Sequence, residues 1–385
     1  MREEKVSKLN LISDRNLTWA SSNGQKSSLS KYLLAHRDEN ELPEIGFGLK
    51  RLKRTDKELK EKLILSKTAT FAEGAGNRRY SEIPDEERTC FEKDRDRILH
   101  STAFRRLAGK TQVFIFPKDH QRTRLTHALE VSQVALTISN ALGFNSDLCE
   151  AIAIGHDCGH GPGGHASEDA LSIFLEGGFD HAPFGALKTL NSLNLCVETL
   201  DGIANHSWSR PSPYTPEGRI VSWADRIAYV CHDFEDACLS GIVKLSDLPK
   251  EVLKVAGKTK SQQLDTFIKS IIESTYATGQ ITMDMETAEI LNTFRTFNYE
   301  RIYMRKESIE QNYAVIRLLR SLVEYFEMHP DKCGYFQKEN EHVSIEDDPL
   351  TNAVSFVAGM TDRFACNIAK EVLDWAEHDL PRRAI

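Results

Sequence analysis

Histidine is unevenly distributed along this chain. Of its 13 histidines, most lie in one stretch between positions 120 and 232. They are His120, His127, His156, His160, His165, His181, His206 and His232. Imidazole titrates near neutral pH and binds transition metals, so it serves both proton transfer and metal ligation. The clustering therefore predicts a site that combines the two.

One of these histidines belongs to an amphipathic helix. Val131, Val134, Ile138 and Leu142 follow His127 at helical spacing, which places the imidazole on the buried stripe of the helix. A lone histidine in such a place is more often a satisfied core residue. Its interpretation as a ligand therefore depends on partners from other elements.

A second helix carries the dipeptide His156-Asp157. We expect it to begin near Asp147 as the N-cap and to end where Gly159 and Gly161 interrupt the pattern. The same dipeptide occurs at three places in the chain, but only this copy precedes a glycine-rich turn with two further histidines. That context favours a functional role here.

A third helix is predicted from Pro216 to about Ser240, with Thr215 as its N-cap. Asp225 lies in the middle of its apolar face, where an ionised carboxylate is costly unless it is paired or bound to metal. Tyr229 and Asp233 follow at i+4 and i+8, so the three side chains form one column. The column suits a polar ligand.

Together the three helices offer two imidazoles and two carboxylates. The predicted ligands are His127, His156, Asp157 and Asp225. A mixed nitrogen and oxygen set of this kind suits a borderline divalent ion. Such an ion polarises a phosphoryl oxygen and activates water.

The turn at residues 159–164 also satisfies the dinucleotide-binding pattern G-x-G-x-x-G. That fingerprint needs a strand before it and alternating strands and helices around it. Strand patterns are nearly absent from the chain, which predicts an all-α fold and disfavours this alternative.

Composition restricts the protein class. The 385 residues are 40% hydrophobic and 28% charged, with a formal charge of −8, which argues against a surface that tracks nucleic acid throughout. No apolar run reaches membrane-spanning length and the start lacks a signal-peptide core, so we expect a cytoplasmic protein without membrane contact. The eight cysteines contain no CxxC pair and are expected to be free thiols.

The basic run at residues 50–62 is interpreted as a solvated helix face, with contact to an anionic partner as the alternative.

Several stretches resemble the HD-domain deoxynucleoside triphosphate triphosphohydrolases, the dGTPase-like group. They are RTCFEKDRDRILHS at 88–101, AFRRL at 103–107, KTQVF at 110–114, RTRLTH at 122–127, GHD at 155–157, ADRIAY at 224–229 and AGMTDRFA at 358–365. The resemblance implies an N-terminal extension at 1–85, a helical HD core at 86–245 and a further helical region at 246–385. It also implies cleavage of a dNTP to a deoxynucleoside and inorganic triphosphate, by attack of water at the α-phosphorus.

The resemblance assigns roles to individual residues. Metal ligation falls on the four residues already named, and phosphate binding on Arg124. Tyr229 and Asp233 match the residues that read the sugar 3′-hydroxyl. The acid and base roles fall on His160, Glu168 and His165, with His181 as a further active-site histidine.

The resemblance also implies a cofactor and partners. We expect one divalent ion per site, Mn²⁺ or Mg²⁺ first, with Fe²⁺, Co²⁺, Ni²⁺ or Zn²⁺ as alternatives. A homo-oligomer is expected, and the basic run leaves single-stranded nucleic acid open as a secondary partner.

Two other functions stay open at this point. One is a nucleotidase or phosphodiesterase acting on another phosphate ester at the same metal site. The other is a non-catalytic nucleotide-binding or single-strand-binding protein. Tyr229 and Asp233 favour a triphosphate substrate over another phosphate ester. The acid and base residues favour a catalytic function over a purely binding one. The turn at 161–164 departs from the group's usual pattern, and we expect it to be more flexible than in the group. A second departure lies at 182–185, and both bear on base preference and on the rigidity of the loop.

Overall fold

The computed structural model describes residues 48–117, 120–337 and 348–382, together with the backbone of two short strands nearer the N-terminus. The chain divides into two compact units, Met1–Arg51 and Leu52–Ile385. In the first unit, β1 (Gln25–Lys26) pairs antiparallel with β2 (Leu33–Leu34). The rest of residues 1–47, within the predicted N-terminal extension, lies outside the described residues. The three predicted segments, 1–85, 86–245 and 246–385, stay predictions.

The described part of the second unit is helical, as predicted. Its first half contains α1 (Arg54–Ile64), α2 (Cys90–His100), α3 (Thr102–Arg106), α4 (Arg124–Leu142), α5 (Ser146–Gly155), α6 (His165–Leu171), α7 (His181–Phe184), α8 (Val197–Asn205) and α9 (Pro216–Leu239). Its second half contains α10 (Lys250–Val255), α11 (Lys260–Thr278), α12 (Met285–Asn298), α13 (Lys306–Met328), α14 (Pro330–Gln337), α15 (Pro349–Ala358) and α16 (Asp362–Val372). Short 3₁₀ turns at Leu107–Gly109, Ser172–Phe174, Asn191–Leu193 and Leu245–Asp247 and π-helical turns at Gly185–Thr189 and Tyr299–Tyr303 connect them.

Side-chain caps fix where the site-bearing helices begin. The hydroxyl of Thr215 accepts a hydrogen bond from the Gly218 amide, and Pro216 is the first residue of α9, as predicted. The predicted N-cap of α5 was wrong by two residues. Asn145, not Asp147, is the N-cap, and its side-chain oxygen accepts from the Leu148 amide at 3.3 Å. Asp147 lies in the first turn, where its charge still favours the helix.

The central helices α4, α5 and α9 pack against one another and form the main core. Val131, Val134 and Ile138 are fully buried on the face of α4 that carries His127, which confirms the amphipathic pattern. A second apolar cluster joins α13, α15 and α16 to α6. The C-terminal helices are thereby fixed beside the turn that follows His156-Asp157.

Residues 54–62 of the basic run lie in α1, which has no buried residue. Arg54 pairs with Glu58 at 2.5 Å, and Lys57 pairs with Glu92 at 2.7 Å. The run is therefore a solvated, partly neutralised helix face, and the anionic partner stays untested. All eight cysteines are free, as predicted.

None of the helices in the described ranges has the length and apolar character that crossing a bilayer requires.

Candidate metal and phosphate site

Three helices bring a histidine or aspartate to one buried point. Nε2 of His127, on α4, lies 3.0 Å from Oδ1 of Asp225, on α9. Nε2 of His156, just after α5, lies 3.8 Å from the same oxygen. The ligand atoms of the three residues all lie within 4.8 Å of one another. The charge of Asp225 and its hydrogen bond outweigh burial and raise the pKa of His127.

The orientation of His156 fits a bound ion. Its Nδ1–H donates to the carbonyl of Ala153 at 2.6 Å, so the lone pair lies on Nε2. That atom is buried and has no hydrogen-bond partner, while Oδ1 of Asp157 lies 3.5 Å away. An unpartnered imidazole nitrogen beside two carboxylates is costly unless a cation binds there. This buried His/Asp cluster therefore fits a divalent metal site.

Arg124, the first residue of α4, lies beside the cluster and forms an ion pair with one of its aspartates. Its Nη1 lies 2.7 Å from Oδ2 of Asp157. Burial alone would raise the pKa of Asp157, but the charge of Arg124 and the hydrogen bond from His160 outweigh it and hold that pKa well below its ordinary value. The Nε and Nη2 groups of Arg124 are buried without partners, so they remain available to bind an anion.

Two positions in the turn after Asp157 require glycine, because neighbouring atoms lie too close for a side chain there. A Cβ on Gly159 would lie 2.0 Å from the carbonyl oxygen of His181. Gly164 has φ +64°, and a Cβ there would lie 2.9 Å from Nη2 of Arg124. The turn is thus packed tightly against its neighbours, whereas the sequence led us to expect a flexible loop.

Two segments about 250 residues apart in the sequence hold this turn in place. Oδ1 of Asp362, at the start of α16, accepts a hydrogen bond from the Gly163 amide at 2.9 Å, and Oδ2 accepts from the Thr111 hydroxyl at 2.5 Å. The buried ammonium of Lys110 donates to the carbonyls of His160 and Ala358. The two motifs at 110–114 and 358–365 therefore meet beneath the turn.

The four predicted catalytic residues lie next to one another, and the Glu168 carboxylate joins two of the histidines. Oε1 of Glu168 accepts from Nδ1 of His181 at 2.5 Å, and Oε2 lies 3.2 Å from Nδ1 of His165. His160 stacks on His181, with ring centroids 3.6 Å apart, and its Nε2 lies 3.2 Å from Oδ1 of Asp157. Burial and the charge of Arg124 lower the pKa of His160 well below its ordinary value.

The predicted column on α9 is held from the C-terminal half of the chain. The Tyr229 hydroxyl accepts a hydrogen bond from Nε of Arg295, on α12, at 2.9 Å. Tyr303 donates its hydroxyl hydrogen to Oδ2 of Asp233 at 2.5 Å, while Oδ1 is buried without a partner. Burial raises the pKa of Asp233 to about 7.

These groups open into one cavity of about 590 Å³. Ten of the eleven predicted site residues line it: Arg124, His127, Asp157, His160, His165, Glu168, His181, Asp225, Tyr229 and Asp233. His156 is the exception, since it lies buried beneath the others. The cavity therefore joins the metal-ligand cluster, the unpaired nitrogens of Arg124 and the α9 column.

Comparison with known proteins identifies the family to which the chain belongs. A family model described as HD domain matches residues 124–230, and one described as phosphohydrolase-associated domain matches 281–371. The deoxyguanosinetriphosphate triphosphohydrolase-like protein of Caldanaerobacter subterraneus subsp. tengcongensis is 38% identical over 340 residues, which cover 86% of this chain and 99% of that protein. The protein of the same name from Clostridium perfringens strain 13 is 40% identical over 327 residues, covering 80% of this chain and 93% of that protein. The chain belongs to the deoxyguanosinetriphosphate triphosphohydrolase-like family.

In this member of the family, several cavity residues were missed by the sequence analysis. Arg295 and Tyr303 lie about 70 positions after their partners on α9, and no local pattern connects them. Arg226 follows Asp225 directly and stacks on Trp208 at 3.4 Å. His206 is buried against His181. It belongs to the histidine cluster, and that membership was the signal that could have identified it.

Proposed function

We propose that this protein is a metal-dependent hydrolase that cleaves deoxynucleoside triphosphates to a deoxynucleoside and inorganic triphosphate. The observation that carries the proposal is the shared cavity. It is lined by three of the four proposed metal ligands, by Arg124 with its unpartnered nitrogens and by the column on α9, which supports binding of one nucleotide across all three. The names of the relatives in the family support the same substrate class.

The ion would be held by His127, His156, Asp157 and Asp225. When bound, it supplies Lewis-acid polarisation of a phosphoryl oxygen and activation of water. Mn²⁺ and Mg²⁺ are the ions we propose first, since two carboxylates accompany the two imidazoles.

Phosphate binding falls to Arg124. Its Nη1 is engaged by Asp157, so the guanidinium is held in one orientation. The buried Nε and Nη2 groups would then donate to oxygens of the α-phosphate. Arg226 and Arg295 also line the cavity, and their charges would offset those of the remaining phosphates.

Two histidines would transfer protons during the attack of water at the α-phosphorus. His160 stays neutral because of burial, and its Nδ1 has no partner, so it can accept a proton from the attacking water. The Glu168 carboxylate accepts from Nδ1–H of His165, and in the imidazolium form of His165 the second proton, on Nε2, would go to the departing 5′-oxygen. An alkoxide is a poor leaving group, so its departure needs this proton.

The sugar would be read by the column on α9. Tyr229 and Asp233 lie one and two turns from Asp225, about 6 and 12 Å along the axis by helix rise. That span suits the distance from an α-phosphate to a ribose 3′-hydroxyl. The unpartnered Oδ1 of Asp233 would accept the hydrogen bond of that hydroxyl.

One assay tests the proposal. The enzyme is incubated with each dNTP alone and in pairs, with Mn²⁺ or Mg²⁺, and the products are separated by chromatography. We expect deoxynucleoside and inorganic triphosphate, and no product from Asp225→Asn. Release of monophosphate or diphosphate would contradict the proposal, as would cleavage of other phosphate esters with no cleavage of any dNTP. The second result would favour a nucleotidase or phosphodiesterase.

A further inference from the structure

Arg226 brings a positive charge to the cavity, and within the described residues no carboxylate forms an ion pair with it. It follows Asp225, a proposed metal ligand, on α9 and lines the cavity. Its Nε is buried without a hydrogen-bond partner. Burial and the nearby charge of Arg295 lower the pKa of Arg226, yet a guanidinium stays protonated near neutral pH. The charge is therefore available to an anionic ligand.

An indole ring holds this guanidinium in place of a carboxylate. Cζ of Arg226 lies 3.4 Å from the ring centroid of Trp208, within the range of a stacked cation–π contact. An aromatic ring fixes the plane of a guanidinium and leaves its charge uncancelled, whereas a carboxylate fixes the side chain and neutralises it. The contact thus orients Arg226 and preserves its charge for a ligand.

Arg122, just before α4, shows the other way of holding an arginine. Three carboxylates surround its guanidinium, those of Glu130, Glu235 and Asp236. They fix the side chain and neutralise it, and Arg122 does not line the cavity. An arginine held in that way has little charge left for phosphate.

Trp208 is itself fixed on the surface of α9. Its Nε1–H donates to the carbonyl of Ser222 at 3.2 Å, and its ring meets that of Trp223 edge to face, with centroids 4.7 Å apart. Ser222 and Arg226 are one turn apart on α9, so the indole spans that turn. The Ser222 hydroxyl also donates to the carbonyl of His206 at 2.5 Å, which fixes the segment that carries Trp208.

We propose that Trp208 is a positioning residue for triphosphate recognition, which holds the Arg226 guanidinium in the cavity so that it binds the phosphate chain of the substrate. Trp208 is 47% exposed and lines the same cavity. The inference rests on the proposed function and assigns part of its substrate specificity to the segment after α8. Each added phosphate offers further charged oxygens to a guanidinium, so the pair should favour a triphosphate over a monophosphate.

Stacking of the nucleobase on Trp208 is the competing role, since aromatic side chains also stack on bases. One face of the indole is already covered by Arg226, and the ring also packs against Trp223. The remaining exposed surface is smaller than a free indole would offer to a base. The two roles predict weaker binding of different ligands, so the two proposed products separate them.

The test measures how tightly the full chain binds inorganic triphosphate and deoxyguanosine in Mg²⁺ buffer, each by isothermal titration calorimetry. Trp208→Leu should weaken binding of inorganic triphosphate about tenfold, the size of a partly buried cation–π contact, and leave binding of deoxyguanosine unchanged. Trp208→Phe keeps an aromatic face and should stay within about threefold of the wild type. Unchanged binding of inorganic triphosphate by Trp208→Leu, or a loss confined to deoxyguanosine, would overturn the proposal.

Trp375 provides a matched control. Arg317 lies over its ring at 5.0 Å, and neither residue lines the cavity. Trp375→Leu should therefore bind inorganic triphosphate like the wild type. An equal loss in Trp375→Leu would reveal a general effect of removing an indole and would contradict the role assigned to Trp208.

A double-mutant cycle tests whether Trp208 acts through Arg226. Arg226→Met should itself weaken binding of inorganic triphosphate, and adding Trp208→Leu to it should cause no further loss. Additive losses would mean that the two side chains act independently, and the positioning role would be wrong.

The outcomes separate this inference from the proposed function. Binding of inorganic triphosphate that depends on Trp208, in a protein that cleaves no dNTP, would remove the proposed function and keep the inference. Cleavage of dNTPs together with triphosphate binding that ignores Trp208 would do the reverse.

A spectroscopic measurement keeps the inference testable if Trp208→Leu does not fold. Inorganic triphosphate should change the tryptophan fluorescence of the wild type, because the guanidinium against the Trp208 ring engages phosphate. Trp208→Phe should lose that change and Trp375→Leu should keep it. No change in the wild type, or a change that persists in Trp208→Phe, would contradict the proposal.

Discussion

Tyr303 donates its hydroxyl hydrogen to Oδ2 of Asp233 at 2.5 Å and thereby joins the C-terminal half of the chain to the site on α9. The contact orients a carboxylate whose second oxygen has no partner in the protein. The region matched by the phosphohydrolase-associated model, residues 281–371, thus completes the cavity that the HD helices begin.

Removing this hydroxyl should weaken substrate binding more than catalysis. Tyr303→Phe leaves Asp233 without its donor, and a hydrogen bond to a carboxyl group that is partly ionised near pH 7 contributes about 1.5 kcal/mol. We expect KM for dNTPs to rise about tenfold, with kcat nearly unchanged and weaker discrimination against 3′-deoxy analogues. Steady-state kinetics beside Tyr313→Phe, an exposed tyrosine outside the cavity, provides the comparison. Equal KM values in the two variants would contradict the assigned role.

The general acid role of His165 can be isolated from metal binding. His165→Ala should retain metal and bind dNTP but lose about 10²–10⁴-fold in kcat, the range typical of general acid catalysis. A substrate with a better leaving group at the 5′ position should recover much of that loss. His378→Ala, at another exposed histidine, serves as the control. Near-normal kcat in His165→Ala, or no recovery, would move the acid role to His160 or His181.

A buried ion pair anchors the segment before α2. Nη1 of Arg78 lies 2.5 Å from Oδ1 of Asp94, with side chains only 1% and 0% exposed. Arg78→Met should lower the free energy of unfolding by about 3–5 kcal/mol, because it leaves a buried carboxylate unpaired. Arg88→Met removes an ion-paired arginine that is 43% exposed and should cost less than about 1 kcal/mol. Urea denaturation compares the two, and equal losses would be inconsistent with this account.

A carboxyl group on α1 should make stability depend on pH. Burial raises the pKa of Glu61 to about 7 from an ordinary value of 4.5, so between these values the folded state binds a proton that the unfolded state releases. The stabilisation is complete below pH 4.5 and is lost as the pH rises through 7. Glu61→Gln keeps an acceptor for the Ala72 amide and removes the titration. The melting temperature of Glu61→Gln relative to that of the wild type should therefore rise between pH 5 and pH 8. A difference in melting temperature that stays constant over this range would contradict the assignment.

The parts of the site carried by one helix could be predicted from the sequence. Asp225, Tyr229 and Asp233 recur every four residues, and a helix keeps that spacing whatever packs against it. The predicted start of α5 was wrong by two residues because Asn145 and Asp147 both suit an N-cap. Only the hydrogen bond from the Leu148 amide to Asn145 decides between them.

The remaining parts depend on packing between distant segments. His206 joins the other site histidines only because the end of α8 brings its ring against His181. Arg295 and Tyr303 reach the column from α12 and the π-helical turn after it. No period within either segment encodes those contacts, so spacing alone could not reveal them.

The most direct test of the central claim is hydrolysis of dGTP in ¹⁸O-labelled water with Mn²⁺ present, followed by mass spectrometry of both products. Attack of water at the α-phosphorus predicts ¹⁸O in inorganic triphosphate and none in deoxyguanosine. Label in deoxyguanosine would place the attack at the sugar carbon, and label in inorganic monophosphate would contradict the triphosphohydrolase assignment altogether.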